Sequence, residues 1–213
     1  MKVKNILVTG GSGYIGSMLV TKLVMMGHNV GVIDINKYAK DSLLHLYSYK
    51  NFKFIFGDVR DEKIIKKYLN KYEYIVPLAA LVGAPLCEKN KKEAIQTNLN
   101  SIKMLIDNLK IDKKLIYLTT NSGYGIGSKQ KFCTEKTKLN PISLYGVTKV
   151  DAEKIVMQRK NSVSLRLATV FGYSFRMRTD LLVNNFVLTA IKNKKLELFE
   201  SNFDEILFIF RML

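Results

Sequence analysis

The most constraining feature of the sequence is a glycine-rich turn that follows its first apolar run. Thr9-Gly10-Gly11-Ser12-Gly13-Tyr14-Ile15-Gly16 comes directly after the strand-like segment Asn5–Thr9 and opens a helical pattern that continues to about Met26. Glycines at positions 10, 13 and 16 permit a tight turn and let the backbone approach a pyrophosphate. The pattern therefore predicts an anion site at a helix N-terminus, with a plain strand-to-helix turn as the alternative.

An acidic residue after the second apolar run narrows the range of possible ligands. Asp34 lies eighteen residues beyond Gly16, where a carboxylate can accept hydrogen bonds from an adenosine ribose. Its negative charge disfavours a 2′-phosphate at the same place. The spacing therefore predicts a dinucleotide cofactor, NAD rather than NADP, and disfavours the plain turn.

Short apolar runs alternate with longer amphipathic segments along the chain. The segments from Ile95 to Leu109 and from Leu182 to Ala190 carry apolar residues at helical spacing, so each is expected to bury one face on a sheet. This alternation predicts an α/β fold with a doubly wound, mostly parallel sheet of the Rossmann type. The predicted strands are Asn5–Thr9, Val30–Ile35, Phe52–Phe56, Tyr74–Leu78, Lys114–Thr119 and Ser162–Ala168.

The chain is strongly basic, with 34 Lys and Arg against 18 Asp and Glu and a net charge of +16. Such a charge suits nucleic acid, an anionic membrane surface or a phosphate-bearing small molecule. Only 6 of the basic residues are Arg, whose planar fork is favoured on base-reading surfaces, and the Lys residues are scattered in small groups. We therefore predict no nucleic-acid partner, and tight, steeply salt-dependent DNA binding would contradict this.

Neither a metal site nor cysteine chemistry is predicted. Cys87 and Cys133, together with His28 and His45, fit no zinc-ligand or Cys–His nucleophile spacing, and a reducing cytoplasm is the simpler interpretation. The apolar run at the N-terminus is too short for a signal peptide, and no window holds the ~20 apolar residues of a membrane span. We therefore expect a cytoplasmic protein with no membrane partner.

A tyrosine and a lysine lie four residues apart in Tyr145-Gly146-Val147-Thr148-Lys149, hence on one face of a helix. A cation close to a phenol favours the phenolate, which makes Tyr145 a candidate general base that takes a hydroxyl proton as hydride leaves the carbon. Thr120 follows the fifth apolar run, where ligands bind in doubly wound sheets, and can hydrogen-bond the reacting oxygen. Without the dinucleotide turn, Tyr145 and Lys149 would be interpreted as a surface pair.

Taken in order along the chain, these motifs resemble those of the extended short-chain dehydrogenase/reductase superfamily, the NAD-dependent nucleotide-sugar epimerases and dehydratases. The matching motifs are Thr9–Gly16, Asp34, Gly57-Asp58-Val59, Leu78-Ala79-Ala80, Thr120, Tyr145 with Lys149, and Arg166-Leu167-Ala168-Thr169-Val170-Phe171-Gly172. The resemblance implies a cofactor site in which Asp58 and Val59 line the adenine. The residues implied to flank the cofactor are Leu78, Ala79, Ala80 and Asn98, and those implied to form the catalytic group are Thr120, Tyr145 and Lys149, with Lys149 also holding the nicotinamide ribose. Without the family match, Asn98 would be interpreted as an exposed polar residue of a helix.

The resemblance also bears on the reaction. Dehydratases of this superfamily carry an Asp-Glu pair directly after the catalytic Thr, whereas this sequence has Asn121-Ser122. Elimination needs an acid for the leaving group and a base for the C5 proton, and neither Asn nor Ser replaces them well. What remains is oxidation of a sugar hydroxyl at C4, by an epimerase or by a dehydrogenase.

Residues 76–87 and 175–184 resemble a narrower group that acts on nucleotide-linked sugars of surface polysaccharides, above all dehydrogenases that oxidise GDP-manno-heptose at C4. By this resemblance Arg178 and Asn184 lie near the nucleotide diphosphate. A solvated residue at a helix start is an equal alternative for Arg178, since the sequence supplies no partner for it. The substrate residues expected from the resemblance are Asn121, Ser122, Thr169, Arg178 and Asn184.

The length of the chain departs from the superfamily pattern. Its members continue into a smaller substrate domain, whereas this chain stops at Leu213 in an apolar segment. We expect an NAD-binding domain over residues 1–200 and an atypical apolar tail over residues 201–213, left by a frame change near Ser201 that removes most of the substrate domain. The alternative is a short relative whose tail docks as an edge strand.

Two classes of function therefore stay open. The first is an NAD-dependent oxidoreductase or epimerase acting on a nucleotide sugar, which the narrower resemblance makes GDP-linked. The second is a non-catalytic NAD-binding fragment. For the first class the resemblance also implies a homodimer, in which helices around Glu93–Lys110 and Pro141–Lys160 form a four-helix interface.

Overall fold

The computed structural model describes residues 2–38, 40–126 and 132–196. Its centre is a six-stranded parallel sheet in the order β3-β2-β1-β4-β5-β6. The strands are β1 (Asn5–Thr9), β2 (Asn29–Asp34), β3 (Phe52–Phe56), β4 (Tyr74–Pro77), β5 (Lys114–Thr120) and β6 (Ser162–Leu167). The predicted Rossmann-type α/β fold is confirmed. The bounds of β1 and β3 agree with the prediction, and each end that differs in the other strands differs by one residue.

Helices connect the strands and cover the sheet. They are α1 (Tyr14–Met25), α2 (Glu62–Tyr68), α3 (Ala84–Lys89), α4 (Lys91–Ile95), α5 (Ser101–Asn108), α6 (Leu144–Met157) and α7 (Leu182–Asn193). A π-helical turn, Gln96–Asn100, joins α4 to α5, so the amphipathic segment predicted from Ile95 to Leu109 contains a wider turn that its spacing did not predict. Such turns are frequent at functional sites.

Strand β1 is buried on both faces because it lies in the middle of the sheet. Ile6 and Val8 pack with Val20 and Val24 of α1, whereas Leu7 points to the opposite face, into the cluster that α2, α5 and α6 cover. This alternation is what a strand between two helical layers requires. It holds the end of β1, and therefore the glycine turn that follows, in a fixed position.

The strand order reverses between β1 and β4, and this reversal places the site. Chains leaving neighbouring strands at such a point run to opposite sides, which opens a crevice at the carboxyl edge of the sheet. Thr9 pairs with Pro77 at this edge, so the glycine turn after β1 and the segment after β4 begin side by side.

No helix in the three described ranges is long and apolar enough to span a membrane. The apolar tail expected over residues 201–213 lies outside the described residues, as does part of the glycine-containing loop after Tyr124.

Candidate functional site

A cleft of about 710 Å³ opens at the carboxyl edge of the sheet. Its walls come from the glycine turn, from the segments that follow β2 to β5, from the start of α6 and from the segment after β6. Of the predicted site residues, Asn98 and Asn184 do not line it, and all the others do. The topology therefore brings together predicted site residues as far apart in sequence as Gly10 and Arg178, which are separated by 168 positions.

The glycine turn fits a diphosphate because no side chain could occupy its place. Gly10 has φ +73°, and a Cβ there would lie 2.5 Å from the Ala79 nitrogen. A Cβ on Gly16 would collide with the Gly10 carbonyl oxygen. Helix α1 begins after Gly13 without a side-chain cap, which leaves its first N–H groups available to an anion in the cleft.

Asp34 is held rigidly in the cleft by backbone donors. Its Oδ2 accepts a hydrogen bond from the Ser12 N–H at 2.9 Å, and its Oδ1 accepts one from the Asn36 N–H at 2.8 Å. Each oxygen keeps a further lone pair that a ribose hydroxyl could use. The carboxylate thus fits the ribose-binding role predicted from its spacing.

Asp58 forms an ion pair with a residue that the sequence patterns did not single out. The Arg60 guanidinium donates from Nε to both Asp58 oxygens at 3.0 Å, and it also lines the cleft. Hydrogen bonding to this guanidinium lowers the pKa of Asp58. Asp58 is therefore ionised at neutral pH, and Arg60 forms part of the wall beside it.

Thr120 and Tyr145 meet across the cleft. Thr120 is the last residue of β5, and Tyr145 lies in the first turn of α6, which Ser143 caps by accepting from the Gly146 N–H at 3.1 Å. Burial raises the pKa of Tyr145, while a hydrogen bond with the Thr120 side chain and the charge of Arg178 lower it. The net direction is upward, opposite to the direction we expected.

Burial of Tyr145 is the main reason, and Lys149 does not offset it. The Lys149 side chain is buried, and Nζ lies 4.1 Å from the centroid of the Tyr117 ring. Burial lowers the pKa of Lys149 to about 7, so about half of these side chains are uncharged at neutral pH. The cation that acts on Tyr145 in this structure is Arg178, not Lys149.

Asn98 does not reach the cleft, contrary to the prediction. It is 1% exposed and lies in the π-helical turn, so the alternative of an exposed polar residue is also wrong. Its Nδ2 donates to the Leu81 carbonyl at 2.9 Å, and its Oδ1 accepts from the Leu81 N–H at 2.8 Å. Asn98 therefore holds the segment after β4, and through Leu81 it supports the cleft wall.

Asn184, predicted to contact substrate, instead fixes the segment that follows β6. Its Oδ1 accepts from the Gly172 N–H at 2.9 Å, and its Nδ2 donates to the Arg178 carbonyl at 2.9 Å and to the Tyr14 hydroxyl at 3.0 Å. The Tyr14 hydroxyl in turn donates to the Gly172 carbonyl at 2.6 Å. Through these bonds Tyr14 and Asn184 attach the segment after β6 to the glycine turn. The polar groups of both side chains are therefore already paired within the protein.

Arg178 does line the cleft, and it has the partner that the sequence did not supply. Its guanidinium donates to both carboxylate oxygens of Asp180, with Nε 3.0 Å from Oδ1. This pairing raises the pKa of Arg178. The alternative of a solvated side chain is therefore wrong, because the guanidinium is mostly shielded from water, with 22% side-chain exposure.

We expect Asn184→Ala to lower the free energy of unfolding by about 1–3 kcal/mol, because buried donors and acceptors lose their partners. Asn185→Ala is the matched control, since Asn185 is exposed on the same helix and bonds only at the surface; its cost should stay within about 0.5 kcal/mol. Urea unfolding of both variants measures the difference. Equal losses would show that the attachment of the segment after β6 to the glycine turn does not contribute to the free energy of unfolding.

Further charged residues that the sequence patterns did not single out also line the cleft, among them Lys37, Glu93 and Arg176. Lys37, after β2, pairs with Glu93 of α4 at 3.5 Å, and the Arg176 guanidinium lies 5.1 Å from the ring centroid of Tyr38. Each contact joins two segments on different sides of the cleft. No spacing in the sequence marks these residues, since only the fold makes them neighbours.

The strand order, the glycine turn with Asp34 and the Thr120–Tyr145 pair together define a dinucleotide-binding Rossmann protein with a polar reaction site. A model of the NAD dependent epimerase/dehydratase family matches residues 6–205. The chain belongs to this family. The match confirms the NAD cofactor predicted from Asp34.

The chain is also similar to individual proteins. An uncharacterized membrane protein of Methanocaldococcus jannaschii is 33% identical over 159 residues, which cover 73% of this chain and 43% of that protein. Among solved structures, the UDP-N-acetylglucosamine 4-epimerase from Methanobrevibacter ruminantium in complex with UDP-N-acetylmuramic acid is 27% identical, with a TM-score of 0.80, covering 92% of this chain and 64% of that one. The UDP-glucuronic acid 4-epimerase from Bacillus cereus, in complex with UDP-glucuronic acid and NAD, is 27% identical, with a TM-score of 0.76 and coverage of 88% and 63%. The chain spans about half the length of the curated relatives it matches.

Proposed function

We propose that this chain carries the NAD-binding and catalytic part of an enzyme that oxidises a nucleotide-sugar hydroxyl at C4 by hydride transfer. The observation that carries the proposal is that the Thr120–Tyr145 pair and the glycine turn share one cleft. NAD, when bound, supplies the hydride acceptor and a positive ring. The two similar epimerases, solved in complex with UDP-N-acetylmuramic acid and with UDP-glucuronic acid, support a nucleotide sugar as the other ligand.

Each catalytic residue has one task in this proposal. Thr120 holds the sugar hydroxyl by a hydrogen bond, and Tyr145 takes the proton from that hydroxyl as general base. Because burial raises the pKa of Tyr145, a charged group close to it is needed to favour the phenolate. Arg178 supplies part of that charge in the structure. We propose that Lys149, one turn further along α6, adds to it when it is protonated and then also binds the nicotinamide ribose.

The cofactor site is proposed to use Asp34 for the adenosine ribose and the glycine turn for the diphosphate, with Asp58 and Val59 beside the adenine. Leu78, Ala79 and Ala80 then flank the cofactor from the end of β4. All of these residues line the same cleft. On the substrate side Asn121, Ser122, Thr169 and Arg178 remain candidates, and Asn121-Ser122 in place of two acids favours oxidation over elimination.

We further propose the identity of the nucleotide, the biosynthetic role of the enzyme and its oligomeric state. The sequence resemblance to capsular heptose dehydrogenases supports a GDP-linked sugar and a role in surface-polysaccharide biosynthesis. A homodimer formed through α4, α5 and α6 is supported by apolar side chains that these helices expose, Ile95 at 39% and Val147 at 38%.

The test is incubation of the protein with NAD and a panel of GDP-, UDP- and dTDP-sugars. We expect reduced nicotinamide, or an epimerised sugar without net reduction, with at least one member of the panel. Mass spectrometry and NMR of the product should locate the carbonyl or the inverted centre at C4. NAD binding without turnover on any sugar would instead favour a non-catalytic fragment.

The cofactor part is tested separately by Asp34→Ala. We expect this change to weaken NAD binding about 10- to 100-fold, since charge-assisted hydrogen bonds contribute about 1.5–3 kcal/mol each. It should also raise the NADP-to-NAD affinity ratio, because it removes the negative charge that repels a 2′-phosphate. Titration with both cofactors measures the ratio, and Asp41→Ala, an exposed acid outside the cleft wall, is the control. An unchanged ratio would remove Asp34 from the ribose site.

A further inference from the structure

A buried carboxylate lies one helical turn beyond Lys149. Glu153 belongs to α6 and its side chain is 8% exposed. Arg166 of β6 donates from Nε to its Oε1 at 2.9 Å. The second oxygen, Oε2, is buried and has no hydrogen-bond partner among the described residues. Oε1 is therefore fixed by Arg166, whereas Oε2 is available to another group.

The groups around this oxygen belong to the reaction site. Residues four apart on a helix lie on the same face, so Lys149 is the neighbour of Glu153 along α6. Tyr117 of β5 lies between α6 and the sheet, and its hydroxyl is also buried without a hydrogen-bond partner in the described chain. The charge of Glu153 raises the pKa values of both Lys149 and Tyr117.

Lys149 needs such a counter-charge. A buried ammonium loses its hydration, and the face of one aromatic ring returns only part of that loss. The Arg166 charge does not cancel the effect of Glu153, because its guanidinium is more exposed and is shared with the Tyr124 hydroxyl and the Glu135 carbonyl. The carboxylate is the more deeply buried partner, so its field is less screened inside the protein.

We propose that Glu153 is a positioning residue of the reaction site, whose carboxylate, fixed by Arg166, keeps the Lys149 ammonium charged in the protein interior. Its effect on the reaction rate rests on the proposed function. Its effect on Lys149 itself is a property of the folded chain and can be measured without cofactor or substrate.

The ionisable groups that face this place are few among the described residues. On α6 they are Tyr145, Lys149 and Glu153. The packed segments add Tyr117 from β5, Arg166 from β6 with Tyr124 bonded to it, and Cys87 and Arg178, which both act on Tyr145. Of these, Lys149 has a pKa near neutrality, which burial lowers to about 7. Its titration should therefore be visible as a pH dependence of stability.

The sign of that dependence follows from the lowered pKa. Below about pH 7 both the folded and the unfolded chain carry a charged Lys149, and the folded state bears the full cost of burying it. Above pH 7 the folded protein loses the proton, whereas the unfolded chain keeps it until about pH 10.4. The contribution of Lys149 to stability therefore rises with pH, and the rise begins at its folded pKa.

The first test is urea unfolding between pH 5 and pH 9 of the wild type and Glu153→Gln, each with and without Lys149→Met. The difference between each pair isolates Lys149. We expect the rise to begin near pH 7 in the wild type and about one pH unit lower in Glu153→Gln, because the charge of Glu153 raises the pKa of Lys149 and the shifts caused by single nearby charges start at about one unit. The conservative variant Glu153→Asp should keep the wild-type onset.

If Glu153 had only a structural role, Glu153→Gln would be less stable by the same amount at every pH. The pH at which the Lys149 contribution begins to rise would then be unchanged, and that result would overturn the proposal. If Glu153→Gln does not fold, Arg166→Met gives the opposite test. This change removes the positive charge that competes with Lys149 for the carboxylate, while α6 still places Glu153 one turn from Lys149, so the onset should move above that of the wild type. An unchanged or lowered onset in Arg166→Met would equally contradict the proposed role.

The second test uses the pH profile of turnover with the responding nucleotide sugar. Glu153→Gln should lose about five-fold in kcat at pH 7 and more at higher pH, since a pKa lowered by one unit leaves about one tenth of Lys149 charged at pH 7. Glu153→Asp should restore most of it. Absence of turnover in every variant, wild type included, would overturn the proposed function alone, whereas identical stability onsets and pH profiles would overturn the role of Glu153 alone.

Discussion

Tyr145→Phe is expected to abolish NAD reduction while leaving NAD affinity within about two-fold of the wild type. The phenyl ring keeps its packing at the start of α6, but the hydroxyl that lines the cleft with Thr120 and is proposed to take the substrate proton is lost. Loss of a general base typically costs 10²- to 10⁴-fold in rate, so turnover should fall below detection in a routine absorbance assay. The measurement is reduced nicotinamide at saturating substrate, with a parallel NAD titration.

Two variants make this result specific. Tyr74→Phe removes a hydroxyl at the opposite edge of the sheet, where β4 begins, and should leave turnover unchanged. Thr120→Val should lose less than Tyr145→Phe, about 10- to 100-fold, since it removes a hydrogen bond but keeps the base. A Tyr145→Phe protein that still reduces NAD would refute the assignment of the base.

The fold was predictable because its signals are local. The glycine turn, the acid that ends β2 and the alternating apolar runs are each contained in a short stretch of sequence, and together they define a Rossmann sheet. The π-helical turn was not predictable in the same way. Asn98 lies in this turn and forms hydrogen bonds with the backbone N–H and carbonyl of Leu81, 17 residues earlier in the chain. The helical spacing of apolar residues carries no information about such a contact.

The site was predictable where a residue acts with its own neighbours and not where its partner is distant. Asp34 accepts hydrogen bonds from Asn36, two residues further along the chain, and from Ser12, which belongs to the glycine turn that identified it. Asn184 pairs with Tyr14 across 170 residues, so its role in fixing a segment could not be separated from substrate contact by sequence alone. Lys149 lines the cleft, but its contact with Tyr117 and its lowered pKa depend on burial, which only the fold determines.

Gly10→Ala is expected to have the largest effect on cofactor binding and stability. Position 10 has φ +73°, and the added Cβ would lie 2.5 Å from the Ala79 nitrogen and 2.7 Å from its Cα. These are backbone atoms at the end of β4, so neither side can rotate away. The turn must shift, and the N–H groups at the start of α1 shift with it. We expect NAD affinity to fall at least about 100-fold, which corresponds to a loss of about 2.7 kcal/mol.

Gly27→Ala separates this collision from backbone strain. Gly27 has φ +82°, close to that of Gly10, but a Cβ there would meet nothing within 4 Å. It should therefore cost only the left-handed backbone penalty of about 1–2 kcal/mol and leave NAD affinity unchanged. Gly10→Ala should cost a further 1–3 kcal/mol or so, the usual range for forced overlap in a packed interior. Urea unfolding and NAD titration of the two variants give both differences. Equal losses would mean that the turn relaxes away from β4 without cost, and the close approach of Gly10 to Ala79 would then not be what positions the N–H groups for a diphosphate.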